Sequence, residues 1–339
     1  MSSLEERLEN FPRKSGDTFE RLQAIVAKRI ESSTLKSYEK ARLESELSVI
    51  KETNTASVFL FFYDTVYALK DVGAILHGVC HCSYLLYFLG LTKGNPFDYR
   101  LPFERYYGKN RKHLPFAYFV VKTDKKGRLI QYLKEQYGVD KIARVKDCEN
   151  EYVLSKTSLL ALSEIEETFL RFDGEEEKVW HEDISSLTSR DISRLNLYTF
   201  TIEEAEIGEY RRFSEEEIYQ KTLDCFTDEF RDFNKTKRYH GIEEVEEIFS
   251  LTDGKFVYQE QFFEICAELI GVKYQTADEF RKDLCAKRKK ETEDIRMTFS
   301  WKLGEEGVKL FDYLNKEMKY SVCKAYVLGL LFLDFKKNI

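Results

Sequence analysis

Proline is nearly absent from this 339-residue chain, which has 4, and glycine is sparse at 16. So few turn residues argue against a β-sandwich or propeller and favour a helix-rich chain with some strands. Long apolar runs are lacking too. The longest stretches, residues 58–69, 79–91 and 322–333, fall short of the ~18 uninterrupted apolar residues of a membrane span, and Asp64 and Lys324 break two of them. The opening MSSLEERLENF alternates in charge where a secretory signal has a basic cap and an apolar segment, so the chain is expected to be cytoplasmic. Seven cysteines, an odd number without an export signal, are expected to be reduced thiols, mostly buried.

Against these absences stand 26 Phe and 21 Tyr, enough for a sizeable core, and 53 Lys+Arg against 60 Asp+Glu, a net charge of −7. The length suggests roughly two domains at ~150 residues each. Apolar residues at three- and four-residue spacing predict two helices across residues 18–51. The aromatic-rich residues 56–91 predict a buried helix, a loop through Gly73 and Gly78, and a second helix capped by the Ser83 hydroxyl. Asn95-Pro96 marks a turn, FAYFVV at 116–121 a central strand, and residues 125–137 a helix closed by Gly138. Residues 164–217 hold 17 acidic against 6 basic residues, whereas residues 105–146 hold 12 basic against 3 acidic. From Ser214 onward the pattern is helical, with Phe262, Cys266 and Leu269 on one stripe and Val308, Phe311 and Leu314 on another.

The densest cluster of reactive side chains is HGVCHC, with His77, Cys80, His81 and Cys82. Imidazole and thiolate are zinc ligands. Ligands at 80, 81 and 82 converge poorly on one ion, however, and no second CxxC or HxxxH pair follows, so buried structural residues are the preferred reading. Five scattered histidines give no cysteine a nucleophile signature. The basic residues Lys109, Arg111, Lys112, Lys122, Lys125, Lys126 and Arg128 could neutralise nucleic-acid phosphates; a solvated surface face is the alternative.

Residues 83–107, SYLLYFLGLTKGNPFDYRLPFERYY, followed by HLPF and by RLIQYLKEQYGVDKIARV at 128–145, resemble the palm of the bacterial C-family DNA polymerases, the polymerase III alpha subunit. That family has a Gly/Ser-rich loop, a D-P-x-x-Y/F-x-L-x-F-E-R-F stretch, then P-D-x-D-x-D-F and a helix like VIQYVxEKYG. Pro96, Leu101, Phe103, Glu104, Arg105, Pro115, Ile130, Gln131, Tyr132, Tyr137 and Gly138 fall in register. Phe11-Pro12, Gly16 and Thr18, then residues 38–50, resemble the segment before the palm. Further on, Tyr258 to Gln261 with Ala277-Asp278 and Phe280-Arg281-Lys282 resemble the fingers motifs Y-Q-E-Q and A-D-x-L-R-R, and Phe311-Asp312 and Ala325-Tyr326 resemble later F-D and A-A-Y-A-L pieces.

The resemblance implies an α+β, helix-rich fold: a nucleotidyltransferase-like palm with a small sheet, then mostly helical fingers. The expected division is a helical lead-in at 1–36, a palm-like domain at 37–170 lacking the thumb insertion, and a fingers-like domain at 171–339. The family's other modules are expected to be missing. Its polymerases hold two Mg²⁺ with three aspartates, since the paired ions clamp the attacking and leaving oxygens. In register with Pro115, the two aspartates of the first strand fall on Tyr118 and Val120, and the third falls near Ser155. The family's G-R-G-S-x-x-G-S loop becomes LHGVCHCS, keeping Gly78 and Ser83 but crowding the phosphate cradle with Val79 and Cys82.

The resemblance with these departures points to a catalytically inactive relative without metal or cofactor, kept for binding DNA, nucleotides or replication proteins. Mg²⁺ is expected only if polymerase activity survives, through other carboxylates such as Asp124 or Glu151 or through a partner chain. Binding candidates are Gly78, Ser83, Arg105, Lys109, Arg111, Lys112, Lys126, Arg281, Lys282, Lys287 and Arg288. A protein-interaction module using the acidic residues 164–217 is the remaining alternative.

Overall fold

The first two helices follow from apolar residues spaced three and four apart. Helix α1 (Phe19–Glu31) buries Leu22 and Val26, and α2 (Ser37–Glu52) buries Leu43 and Ile50. They belong to a computed structural model that describes residues 11, 16, 18–111, 113–137, 142–144, 151–154, 198–226 and 237–334. Helix α3 (Ala56–Ala68) is buried along most of its length, as its nearly uncharged sequence requires. Strand β1 (Ile75–His77) leads through a 3-10 turn, Val79–Cys82, into the short α4 (Tyr84–Phe88). Ser83 caps α4 as expected, its hydroxyl accepting from the Leu86 amide at 3.2 Å.

A 3-10 turn at Pro96–Tyr99 and α5 (Phe103–Tyr106) precede β2 (Tyr118–Val121). The strand is the aromatic and β-branched part of FAYFVV. Helix α6 (Lys126–Tyr137) buries Leu129 and Leu133, one turn apart; its expected cap Gly138 lies outside the described residues. Then come β3 (Ile142–Arg144), β4 (Glu151–Leu154), β5 (Tyr198–Glu204) and β6 (Glu206–Ile207). Helix α7 (Glu215–Cys225) starts at a capping box in which Ser214 and Glu217 exchange hydrogen bonds. The chain continues through α8 (Glu243–Phe249), α9 (Gln259–Ile265) with a π-helical extension, α10 (Tyr274–Cys285), α11 (Lys289–Glu317), α12 (Lys324–Leu331) and β7 (Leu333–Asp334). Helix α11 is broken at Gly304, whose φ of 63° and ψ of −140° suit glycine alone.

The five-stranded sheet has the order β1-β2-β5-β4-β3. Strand β2 pairs antiparallel with β1 and parallel with β5, and β4 runs antiparallel to both β5 and β3. Successive side chains alternate between faces. Leu76, Phe119, Phe200 and Ile202 therefore point to one side, where Phe119 lies 5.5 Å from Phe61 and 6.0 Å from Phe62, ring centre to ring centre. This is the larger core, shared with α1, α2 and α6 and, from later in the chain, Phe213, Ile218, Val322 and Leu328. The opposite face carries Ile75, His77, Tyr118, Val120 and Glu203. A second core, built from Phe249, Phe262, Cys266, Phe299, Phe311 and Leu314 among others, holds α8 to α11 together. Of the two expected helical stripes, Phe262, Cys266, Leu269, Phe311 and Leu314 meet there, without Val308.

Candidate functional site

The face of β2 that the resemblance assigns to catalysis is closed at Val120 and half-exposed at Tyr118. Val120 is fully buried among Ile75, Ala205 and Leu333. Tyr118 lies beside His77 and Tyr326, with ring centres 5.9 and 6.1 Å away, and His77 lies 4.8 Å from Tyr326 of α12. Gly329, one turn further along α12, sits so close to this face that a Cβ there would collide with the His77 and His81 imidazoles. Both His77 nitrogens and His81 Nδ1 are buried without a hydrogen-bond partner among the described residues. Burial pushes His77 down to about 4; burial, then the nearby His77, pushes His81 down to about 3. Both are neutral at physiological pH. In the same cluster the Cys80 thiol donates to the His77 carbonyl at 3.2 Å, and burial pushes the Cys80 and Cys82 thiols up, away from the thiolate form zinc takes.

A pair of Mg²⁺ ions needs converging hard oxygens, and a phenol, an isopropyl group and two neutral imidazoles do not fit it. Among the described residues no three His, Cys, Asp or Glu side chains gather as a metal-binding group. Ser155 lies outside the described residues. Strand β4, which precedes it, is separated from β2 by β5. The residue opposite Val120 across the β2–β5 ladder is Glu203. Burial raises its carboxyl above the usual range against the pull of Lys126, and its Oε2 is buried with no partner among the described residues. Its neighbour Glu204 accepts from the Lys126 amide at 2.8 Å.

In the loop after β1, the space beside the Gly78 backbone is filled by a side chain. Gly78 has φ 104°, and a Cβ there would lie 2.8 Å from the Tyr118 ring. At the loop's far end the carboxylate of Glu46, fully buried, accepts from the Ser83 hydroxyl at 2.7 Å and from the Tyr84 and Leu85 amides at 2.9 and 3.1 Å. Arg42 donates to it at 2.7 Å and to the carbonyls of Cys82 and Leu101. The amides that open α4 are thus satisfied from within, as anions satisfy helix starts. Glu260 does the same for α12, accepting from the Lys324 amide at 2.9 Å.

The cationic candidates divide. Arg105, Arg111, Arg281 and Lys282 come together where the segment after α5 meets α10. Asp278, 3% exposed, lies 3.1 Å from Arg111, 2.9 Å from Arg281 and 2.6 Å from Lys282. Arg105 is mostly enclosed, its Nε buried without a partner among the described residues. Elsewhere, exposed Lys109 pairs with Glu52, Arg288 pairs with Asp283, Lys287 is exposed and Lys126 stands at the end of the sheet. Lys112 lies outside the described residues. Sequence reasoning missed Glu46, Glu203 and the pairing of Asp278 with three cations. Only Asp278 carried a local signal, its spacing of three and four residues from Arg281 and Lys282.

A small mixed sheet with helices packed on it, beside a separate helical core, makes a helix-rich α+β fold. Comparison with known families agrees. The bacterial DNA polymerase III alpha NTPase domain matches residues 18–157, and the bacterial DNA polymerase III alpha subunit finger domain matches residues 221–307, together about two thirds of the chain. The chain belongs to the bacterial DNA polymerase III alpha family. Among its relatives are DNA polymerase III subunit alpha of Mycoplasma genitalium, 36% identical over 108 residues (31% of this chain, 12% of the relative), and that of Thermus aquaticus, 30% identical over 103 (30% and 8%). The error-prone DNA polymerase of Burkholderia mallei is 36% identical over 104 residues (30% and 10%). The matched stretch spans about a tenth of the length of these curated relatives.

Proposed function

We propose that this chain is a catalytically inactive palm–fingers relative of the polymerase III alpha subunit, cytoplasmic and retained for binding nucleic acid, nucleotides or replication proteins. One observation carries the reading: Val120, which the resemblance puts in register with a metal-binding aspartate, is apolar and buried with Ala205 and Leu333. An isopropyl group there can hold no metal ion for the electrostatic stabilisation of a triphosphate transition state. The Arg111, Arg281 and Lys282 cluster supports binding. The expected domain division is kept with one change: β5 and α12 join the palm-like part, because they complete its sheet and cover its face.

Primer extension in Mg²⁺ and in Mn²⁺ tests the loss of chemistry; the expected result is no incorporation. Glu203, next to Val120 in the sheet, favours the second reading, an active enzyme using a non-standard carboxylate. Incorporation that Glu203→Gln abolishes would establish that reading and overturn ours. DNA binding is tested by anisotropy across a salt series, with affinity expected to fall steeply as salt rises. Absence of binding at low salt leaves the protein-interaction role in its place.

A further inference from the structure

Helix α11 has two unlike faces before its break at Gly304. Ile295 and Phe299 are buried in the second core. Trp301, roughly 200° around the helix from Phe299, is 81% exposed, more than any other large apolar side chain among the described residues. Met297, one turn earlier on the same face, is 46% exposed. A single apolar side chain in water is ordinary, but a tryptophan and a methionine side by side on one helix face are the residue types that interfaces favour.

The cations near this pair are engaged elsewhere. Arg296 is taken by Asp312 at 3.0 Å and by Glu293 at 3.8 Å, and Lys309 by Glu306 at 2.6 Å. Lys302 reaches toward Gly271, its Nζ 3.9 Å from where a Cβ there would stand. The basic run at 287–290 opens the helix, about 16 Å from Trp301. Asp294, seven residues before Trp301 and so on its face, and Glu305, just past the break, are exposed and form no salt bridge among the described residues. Negative charge continues from the break onto α8. The Glu306 carboxylate lies 3.5 Å from where a Cβ of Gly241 would stand, and Glu243, Glu244, Glu246 and Glu247 follow, all exposed.

We propose that Met297 and Trp301 anchor a docking surface for a basic amphipathic helix of a partner protein. The partner's apolar stripe packs across the two side chains, and its Lys and Arg residues meet Asp294, Glu305 and the acids of α8. Anchors at i and i+4 are how one helix presents itself to another, and the surrounding carboxylates select a cationic partner while repelling a phosphate backbone. The surface rests on the reading above, whose protein-binding arm it specifies by the partner's chemistry, and it lies apart from the cation cluster around Asp278. Two anchors make a small interface, so the binding is reversible, with a Kd on the order of 10 µM.

The test uses the full chain and, as probe, a fluorescein-labelled helical peptide with Leu at i, i+3, i+4 and i+7 and Lys elsewhere, read by anisotropy. Wild type is expected to bind it, and Trp301→Ala to weaken binding about tenfold, as loss of a central aromatic anchor does. Asp294→Lys with Glu305→Lys is expected to weaken it by a similar factor, and the same peptide with Glu in place of Lys is expected not to bind. Thermal unfolding of Trp301→Ala should match wild type, because the side chain stands in water. Equal peptide affinity in wild type and Trp301→Ala overturns the surface and leaves protein binding to residues 164–217; no binding by wild type also overturns it. Self-association of wild type that Trp301→Ala abolishes would assign the face to a second copy, and weaker DNA binding by Trp301→Ala would assign it to nucleic acid; either result overturns the proposal. Peptide binding that depends on Trp301, in a protein that binds no DNA, supports the surface and removes only the DNA arm of the reading above.

Discussion

The region around β2 and its loop and the seam between the palm and α10 handle charge in opposite ways. Near β2, Tyr118 and Val120 carry no charge, His77 and His81 are held neutral, and the carboxylate of Glu46 is tied to backbone amides. At the seam, three cations and one carboxylate meet through side chains beside open solvent. The difference separates a charge that has become part of the architecture from one that can still be exchanged. A backbone amide has no alternative rotamer, whereas Asp278 can swing out on its own χ angles.

That contrast can be broken most forcefully at Glu46. Glu46→Ala leaves Arg42 and two amides without their acceptor and is expected to cost about 3–5 kcal/mol in urea unfolding, the range for breaking a buried charged pair. Asp278→Asn should cost clearly less by the same measurement, because Asn still accepts from Arg281; an equal or larger loss would erase the distinction between the two carboxylates. Acid probes the neutral histidines next. Their folded-state values of about 4 and about 3 lie below the ordinary 6.5, so between these limits the unfolded chain binds protons that the folded chain refuses. Stability should therefore be full above about pH 6.5 and fall as the pH drops toward 4, by up to about 1.4 kcal/mol per pH unit for each histidine. Denaturation curves at stepped pH check this, and His81→Leu should flatten the slope by about half. The smallest expected effect is at Gly329, where alanine would press on both imidazoles and cost about 1–3 kcal/mol of overpacking. His81→Ala in the same chain should recover part of it, and a Gly329→Ala protein as stable as wild type would refute the tight seal over β2.

Much of this frame was legible from residue order alone. The Ser83 cap, the helical pattern from Ser214 onward, the helices at 18–51 and the β2 strand each rest on local chemistry within a few residues, and each is found. Strand β5 was not foreseen. Phe200 and Ile202 do alternate with polar residues, but they sit inside the acidic stretch 164–217, and charge obscured the two-residue period. The third metal-binding position, placed near Ser155 by resemblance to a strand before a leucine-rich helix, lies outside the described residues. Glu46 was beyond reach for a different reason. The Ser83 hydroxyl and the amides it shares this carboxylate with are 37 to 39 positions away, and only the fold brings them together.

The covering of β2 by α12 and β7 also orders events during synthesis. Val120 and His77 find their neighbours Leu333, Gly329 and Tyr326 only once those downstream residues have left the ribosome. Until then a nascent chain carries a finished strand with one greasy side uncovered, the kind of intermediate that sticks to other chains or to chaperones. Long-range closure of this sort is slow. For this protein, the same contacts that shut the palm also lengthen the interval in which it is vulnerable.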